Sequence, residues 1–538
     1  MTDLKRVDIY DTTLRDGAQS EDVQFSVEDK LRICRKLDAL GVDYIEGGWP
    51  GANPKDDAFF ARARKELNLS HSRLSAFGST RRAAARVEED VVVRGLLSAE
   101  VGVITIFGKS WDLHVTQALG ISLAQNLELI HDTIRYLKKR VDRVFYDAEH
   151  FFDGFAANPD YARQTLEAAR DAGADALILC DTNGGSLPSQ VGAAVAGLRD
   201  LNAVLGIHTH NDSELAVANA LAAVEAGCAH VQGTLNGLGE RCGNANLISV
   251  LPNLILKMGR ETSVGEERLP KLSALSRFVN ELANRPTQKN QPFVGSSAFA
   301  HKGGIHVSAV LKDSRTYEHI RPEQVGNKQR VLVSDQSGRS NLLYKFSELG
   351  IELDPKDPRI QTLLEEVKSL ELHGYQFDGA EGSLELRARR ALGQVPTYFE
   401  RRGFRVIDER RIREDEDDDR FMGAEGTVKI LIGGVMEHIV AEGAGPVDAL
   451  HNALTLVLSR HYPSLGEIEL ADYKVRILMG SGSMSGGADA IVRVLIEWND
   501  GERRWGTVGV SDHIIAASYD AMVEALEYKL FLDKVRPV

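Results

Sequence analysis

The chain has 538 residues, 43% hydrophobic and 26% charged, the make-up of a folded protein with a large core, which excludes a disordered or fibrous chain. The length exceeds the roughly 250 residues of a single barrel, so two or three domains are expected. With 64 Lys and Arg against 78 Asp and Glu, the net charge of -14 repels polyanions, and nucleic acid is not an expected partner. No apolar run of about 18 residues occurs, and Met1 to Arg6 lead straight into a strand pattern without the apolar core of a signal peptide. No membrane association is expected, and the expected compartment is cytoplasmic. The four cysteines, Cys34, Cys180, Cys228 and Cys242, lack CxxC spacing and are too few for a disulfide framework, so they read as reduced small apolar residues.

From Val7 to about Met258, short β-branched or aromatic runs alternate with longer amphipathic stretches, the βαβα signature of a parallel sheet. Eight strands are predicted: Val7–Tyr10, Tyr44–Glu46, Arg73–Phe77, Val103–Phe107, Arg143–Tyr146, Ala176–Cys180, Val204–Ile207 and Ala229–Gln232. Helical spacing fills the gaps, as over Asp29–Leu40, Leu123–Lys139, Tyr161–Ala172 and Leu215–Ala226. Eight such repeats close more naturally into a TIM-type (β/α)8 barrel than into an open sheet. A polar cluster follows every strand, from Asp11–Gln19 after the first to Gly233–Asn246 after the last, as expected where catalytic groups gather on the loops after the strands.

The alternation stops after Gly259. The expected organisation is a catalytic barrel over 1–260, a mostly helical linker subdomain over 261–392 and a separate α+β module over 393–538. The charge run Asp408 to Arg420 reads as a solvated surface loop. The module contains an internal duplication. Thr427–Ile432, a Gly433-Gly434 turn, Glu437–Ala441 and a helix from Pro446 form one copy. Ala490–Trp498, an Asp500-Gly501 turn, Arg503–Val508 and a helix over Asp512–Leu530 form the other. Beside a catalytic barrel such a module suggests regulation or dimerisation.

His208 and His210, two apart at the end of a strand, point to the same side and can grip one ion. Asp16, just past the first strand, adds an anionic oxygen from a strand separated from the seventh only by the eighth. This mixed N and O set suits Zn2+, Mn2+ or Mg2+ and leaves positions open for substrate. Asn244, in the glycine-rich loop after the eighth strand, is either a fourth ligand or a loop-bracing amide. A 2-oxo acid can present its carboxylate and ketone oxygens together to such an ion, which polarises the ketone as a Lewis acid. Arg15 is a candidate for stabilising an alkoxide forming there, or a partner in a structural salt bridge. Glu46, Glu149 and Glu240 are carboxylates at the barrel mouth, each readable as a general base, a ligand orienter or an Arg partner, and Glu46 is counted among the expected substrate contacts. Thr182 offers a hydroxyl to a substrate carboxylate. Phe77 and Phe107 form either an apolar wall suited to a small 2-oxo acid side chain or part of the barrel core.

The blocks Asp11-Thr-Thr-Leu-Arg-Asp-Gly17, His208-Thr-His-Asn-Asp212 and Gly239-Glu-Arg-Cys-Gly-Asn244 together resemble the DRE-TIM metallolyase superfamily, and within it the 2-isopropylmalate, homocitrate and citramalate synthases. The blocks Glu46-Gly-Gly-Trp-Pro-Gly-Ala-Asn-Pro54, Asp147-Ala-Glu-His-Phe-Phe-Asp-Gly154 and Asp181-Thr-Asn-Gly-Gly185 look most like the citramalate synthase branch. Enzymes of that branch condense acetyl-CoA with pyruvate and hydrolyse the thioester to (R)-citramalate, a precursor of isoleucine. The resemblance implies metal binding by Asp16, His208 and His210, polarisation of the ketone by Arg15, a place for Glu149 near the acetyl methyl group and carboxylate binding by Thr182.

Ala300-His-Lys-Gly-Gly-Ile-His306 and Tyr317 match a segment that in the family reaches into the partner subunit's active site, which implies a homodimer. The proton acceptor is left open among Glu149, His306 and Tyr317. The C-terminal module resembles the family's allosteric domain through Gly443-Ala-Gly-Pro-Val-Asp-Ala449 and Val508-Gly-Val-Ser-Asp-His-Ile-Ile515, so isoleucine is the expected effector. One departure stands out: some citramalate synthases carry a tyrosine two residues before the catalytic glutamate, where this chain has Asp147, with Tyr146 one position earlier. Other readings are a 2-isopropylmalate or homocitrate synthase, an acyl-CoA lyase of the 3-hydroxy-3-methylglutaryl-CoA lyase type, a biotin-dependent carboxyl transferase and a non-catalytic amino-acid sensor.

Overall fold

The structure is a computed structural model that describes residues 5–333, 337–408, 423–478 and 491–538. The chain packs as two units, Met1–Phe299 with Glu318–Gln329 and Ala300–Tyr317 with Arg330–Val538.

In the first unit, β1 (Asp8–Asp11), β2 (Tyr44–Gly48), β3 (Arg73–Ser79), β4 (Val103–Lys109), β5 (Arg143–Glu149), β6 (Ala176–Asp181), β7 (Leu205–Thr209) and β8 (His230–Gly233) form a closed parallel barrel. Closure is made where β1 pairs with both β2 and β8. Several strands run beyond the apolar segments that announce them. β5 continues to Glu149 and β7 to Thr209, because the ladders carry on through polar residues: Lys109 stands opposite Glu149, and His208 opposite Gln232. His208 is therefore on its strand, not past it.

Outward residues such as Ile9, Ile45, Ile104, Val144 and Leu177 are fully buried beneath the helices, as both faces of a parallel sheet demand. Inward residues Tyr10, Tyr44 and Phe145 pack with His230 inside the barrel, the Tyr44 and Phe145 rings meeting edge to face at 5.0 Å. Burial pushes the His230 imidazole down to about 3, so it serves this layer as a neutral ring. The surrounding helices follow their sequence signals. Val27–Leu40 starts at a reciprocal Ser26 and Asp29 capping box and buries Leu31, Cys34 and Leu37 on its inner stripe. Cys34, Cys180 and Cys228 are buried free thiols, and Cys242 is exposed.

The second unit begins with helices at Gly304–Val310, Arg339–Glu348, Pro358–Leu372 and Glu381–Ala391. Two similar halves follow. Strands Glu400–Asp408, Ala424–Ile432 and Val435–Gly443 make one antiparallel sheet ahead of helix Pro446–Leu458. Strands Glu469–Leu478, Ile491–Asn499 and Arg504–Ser511 make another ahead of helix Ile514–Leu532. The duplication is thus three strands and a helix, one strand more per copy than the hairpins indicate. The added strands lie at sheet edges and are largely exposed on both faces, so they lack the alternation that marks a half-buried strand. Of the charge run only Asp408 falls within the described residues, and Ala490 lies outside them. Among the described residues no helix is long and apolar enough to cross a membrane.

Candidate active site

Asp16, His208 and His210 come together at the C-terminal mouth of the barrel, with one ligand atom from each lying within 4.8 Å of the others. The strand period of two puts both imidazoles on the inner side, while Thr209 between them turns outward and donates to the carbonyl of Ala216. Asp16 arrives on the loop after β1, which is pinned at its start. Asp11 accepts from the backbone N–H and hydroxyl of Thr13, and Thr13 Oγ1 accepts from the backbone N–H of Leu235. The loop after β8 folds back over the end of β7, with Asn211 N–H donating to Gly243 O and Ala245 N–H to Thr209 O. Gly243 makes that return at φ +90°, where a Cβ would come within 2.0 Å of Gly237 O.

Burial alone would raise the Asp16 carboxyl, but Arg15 and the two imidazoles overrule it and bring it down to about 2. Burial, reinforced by His208, pushes His210 down to about 4, so it offers a neutral ring with a free lone pair. Asn244 Nδ2 donates to Asp16 Oδ1 and to Leu238 O, each at 3.1 Å. Asn244 Oδ1 and His210 Nδ1 are buried without a hydrogen-bond partner. A carboxylate and two imidazoles within reach of one another, in residues that carry buried unpartnered lone pairs or neighbour one, fit a divalent cation.

Arg15 lies beside this triad. It donates through Nη1 to Asp16 Oδ2 at 3.1 Å and through Nε to Glu46 Oε1 at 2.6 Å, and its guanidinium rests 3.7 Å from the centre of the Phe77 ring. Glu46, expected among the substrate contacts, is instead fully buried, with its oxygens engaged by Tyr10, Thr12 and Arg15. It anchors the arginine from beneath. Asp147 lines the cavity, and burial, then the Glu46 charge behind it, push its carboxyl well above the usual range. Tyr146 points the other way and is buried in the layer between strands and helices.

The triad, Arg15 and Asp147 line a cavity of about 240 Å3 with Glu149, Thr182, Phe77, Phe107 and Glu240. Glu149 pairs with Lys109, its neighbour across the β4–β5 ladder. Thr182 Oγ1 accepts from the backbone N–H of His150 at 2.9 Å, which leaves its own hydrogen to donate. Phe77 and Phe107 stack at 5.5 Å, and Trp49 meets both edge-on at 5.8 and 5.7 Å, making one apolar corner. The cavity thus offers an apolar corner, a fixed cation, a hydroxyl donor and a carboxylate around one cation-binding point.

Three neighbours of the site went unrecognised in the sequence: Gln232, Lys109 and Trp49. Gln232 Oε1 accepts from His208 Nδ1 at 2.8 Å, and only the strand register signals that pairing. Lys109 lies two residues past Phe107 on the same strand, a spacing that places both on one face. Trp49 sits in a quoted block but shows its role only when the strands close. His306 and Tyr317 lie in the second unit, their rings 4.3 Å apart.

Fold and site together define a (β/α)8 barrel enzyme with a candidate divalent-cation centre at the barrel mouth. The family described as HMGL-like matches residues 6–276, the homocitrate synthase post-HMGL domain-like family matches 293–374, and the LeuA allosteric (dimerisation) domain matches 379–530. The chain is 56% identical to an (R)-citramalate synthase of Geobacter sulfurreducens, over 98% of each chain. It is 53% identical to that of Aquifex aeolicus over 98% of this chain and 99% of the relative, and 50% identical to that of a Synechocystis species over 97% and 96%. The chain belongs to the HMGL-like family and, within it, to the family of the (R)-citramalate synthases.

Proposed function

We propose that the protein condenses acetyl-CoA with pyruvate and hydrolyses the thioester, releasing (R)-citramalate and CoA, as an acetyl-CoA:2-oxo acid C-acetyltransferase of isoleucine biosynthesis in the cytoplasm. The observation that carries this reading is the convergence of Asp16, His208 and His210 beside Arg15 and a small aromatic corner, in a chain that matches (R)-citramalate synthases over 98% of its length.

A divalent cation (Mg2+, Mn2+ or Zn2+) held by Asp16, His208 and His210, with Asn244 Oδ1 as a further donor, supplies Lewis-acid polarisation of the 2-oxo group when bound. Thr182 donates its hydroxyl hydrogen to the substrate carboxylate. The methyl group of pyruvate fits the apolar corner formed by Phe77, Phe107 and Trp49. Arg15 is held immobile by Glu46, Asp16 and the Phe77 face, so its charge is in place before negative charge develops on the ketone oxygen.

Glu149 is the base that takes a proton from the acetyl methyl group, and the resulting carbanion attacks the ketone carbon. Holding both substrates in one cavity removes much of the entropic cost of their meeting. Water then cleaves the thioester, giving the second carboxylate and the free thiol. His306 and Tyr317 serve the site of the partner subunit in a homodimer. The duplicated C-terminal module binds isoleucine as a feedback inhibitor, a role that its match to the LeuA allosteric (dimerisation) domain favours.

A free-thiol assay with acetyl-CoA and a panel of pyruvate, 2-oxobutanoate, 2-oxoisovalerate and 2-oxoglutarate tests the substrate. Pyruvate is expected to give the highest kcat/KM. Fastest turnover of 2-oxoisovalerate would make the protein a 2-isopropylmalate synthase instead.

A further inference from the structure

A second cavity of about 260 Å3 lies against the first, and Arg15, Gln19 and Trp49 line both. Its wall includes Leu14, Ala18, Val23 and Phe25, apolar side chains with no part in the chemistry derived above. Of the three shared residues, Arg15 is tied down by ion pairs, and Trp49 is the one that also closes the apolar corner against Phe77 and Phe107.

Trp49 is held in that position from behind. Its backbone N–H donates to Asp56 Oδ2 at 2.9 Å, and Asp56 is paired at 2.5 Å with Lys30, both being buried. The preceding Gly48 adopts φ +149°, and a Cβ there would fall 2.4 Å from the Asp56 carboxyl carbon. The turn that presents the indole is therefore locked onto Asp56 so closely that position 48 excludes a side chain.

We infer that Trp49 is the specificity-determining partition of the 2-oxo acid site: its indole seals the apolar corner at the size of a methyl group and shuts longer 2-oxo acid side chains out of the apolar cavity behind it. The inference rests on the reading that the first cavity takes a 2-oxo acid. Removing the indole joins the two cavities, so a longer straight chain gains apolar surface to bury while pyruvate gains nothing. One methylene in an apolar pocket is worth roughly tenfold or more in discrimination.

The test compares kcat/KM for pyruvate, 2-oxobutanoate and 2-oxopentanoate in the wild type, Trp49→Ala and Trp49→Phe, by CoA release from acetyl-CoA. Trp49→Ala is expected to raise the ratio of each longer acid to pyruvate by roughly tenfold or more. Trp49→Phe, which keeps a smaller ring, is expected to raise it less, and it carries the test alone if the alanine variant does not fold. Ratios within about twofold of wild type in both variants would overturn the inference, as would a rise confined to the KM of acetyl-CoA. A wild type that releases no CoA with any 2-oxo acid would instead overturn the underlying reading, and the inference with it.

Discussion

Gln232 Oε1 lies 2.8 Å from His208 Nδ1, the two residues standing opposite each other in the β7–β8 ladder. The orientation of the Gln232 amide is set from its far side, where Nε2 donates to Asp147 Oδ1 at 3.1 Å. Its oxygen therefore faces the imidazole and keeps the proton on Nδ1. That leaves His208 Nε2, 3.5 Å from Asp16 Oδ2, with its lone pair available to a cation. Gln232→Leu is expected to weaken divalent-cation affinity about 10- to 100-fold, the usual cost of losing a group that orients a ligand. Calorimetric titration with Mn2+ checks this, and an unchanged affinity would remove the orienting role.

The Lys109 and Glu149 pair gives a second prediction. Glu149→Gln keeps the shape of the side chain but cannot take a proton, so kcat is expected to fall by about 10^2-fold or more with little change in the KM for the 2-oxo acid. Lys109→Met, which frees the carboxylate to move, is expected to give a smaller loss. Steady-state kinetics on both variants checks the order, and equal losses would place the lysine in the chemistry itself.

Glu46 is the anchor beneath Arg15. In Glu46→Ala, Tyr10, Thr12 and Arg15 lose a shared buried acceptor, and stability is expected to fall by about 3 kcal/mol, the scale of stripping one partner from a buried ion pair. A lower melting temperature, with kcat reduced more than KM is raised, is the expected signature. Loss of activity at an unchanged melting temperature would point to direct contact with substrate.

Asp500 predicts a pH dependence in the C-terminal module. Burial alone would raise its carboxyl, but the Lys529 ammonium and the backbone N–H groups of Arg503 and Glu502 hold it well below the usual range. A depressed carboxyl stabilises the fold at pH values above its unfolded value of about 3.9, and that contribution is lost as the pH falls through the lower folded value. Asp500→Asn is expected to cost about 1–3 kcal/mol near neutrality, as for hydrogen bonds to a charged group. The gap from wild type should narrow as the pH drops below about 4. Calorimetric melts across pH check this, and a gap independent of pH would contradict it.

The proposed trans contribution of His306 and Tyr317 predicts complementation. Asp16→Asn and His306→Ala, each inactive alone, are expected to regain activity when mixed and allowed to exchange subunits, because one composite site is then intact. No recovery after confirmed exchange would place the pair outside the partner's site.

Much of this arrangement was legible in the sequence because a parallel barrel writes itself locally. Apolar runs such as Val103–Phe107 mark strands buried on both faces, and the polar residues behind them mark the catalytic rim. His208 and His210 were readable because strand periodicity fixes their common side. What escaped depends on relations between strands. The pairing of Gln232 with His208 needs the register of β7 against β8, and that of Lys109 with Glu149 needs the register of β4 against β5. Of the readings open for Glu46, the Arg partner is the one the geometry shows, but its full burial escaped because its distance from solvent is set by Tyr10, Thr12 and Arg15 converging above and around it. The edge strands Glu400–Asp408 and Glu469–Leu478 left no alternation to read because each has little to bury.

The most direct test is to identify what is made from acetyl-CoA and 13C-labelled pyruvate with Mg2+, Mn2+ or Zn2+ supplied. The expected result is one CoA and one (R)-citramalate per acetyl-CoA consumed, abolished in a His208→Ala, His210→Ala double variant. CoA release without a labelled five-carbon hydroxy diacid, or product formation unaffected by the double substitution, would contradict the account.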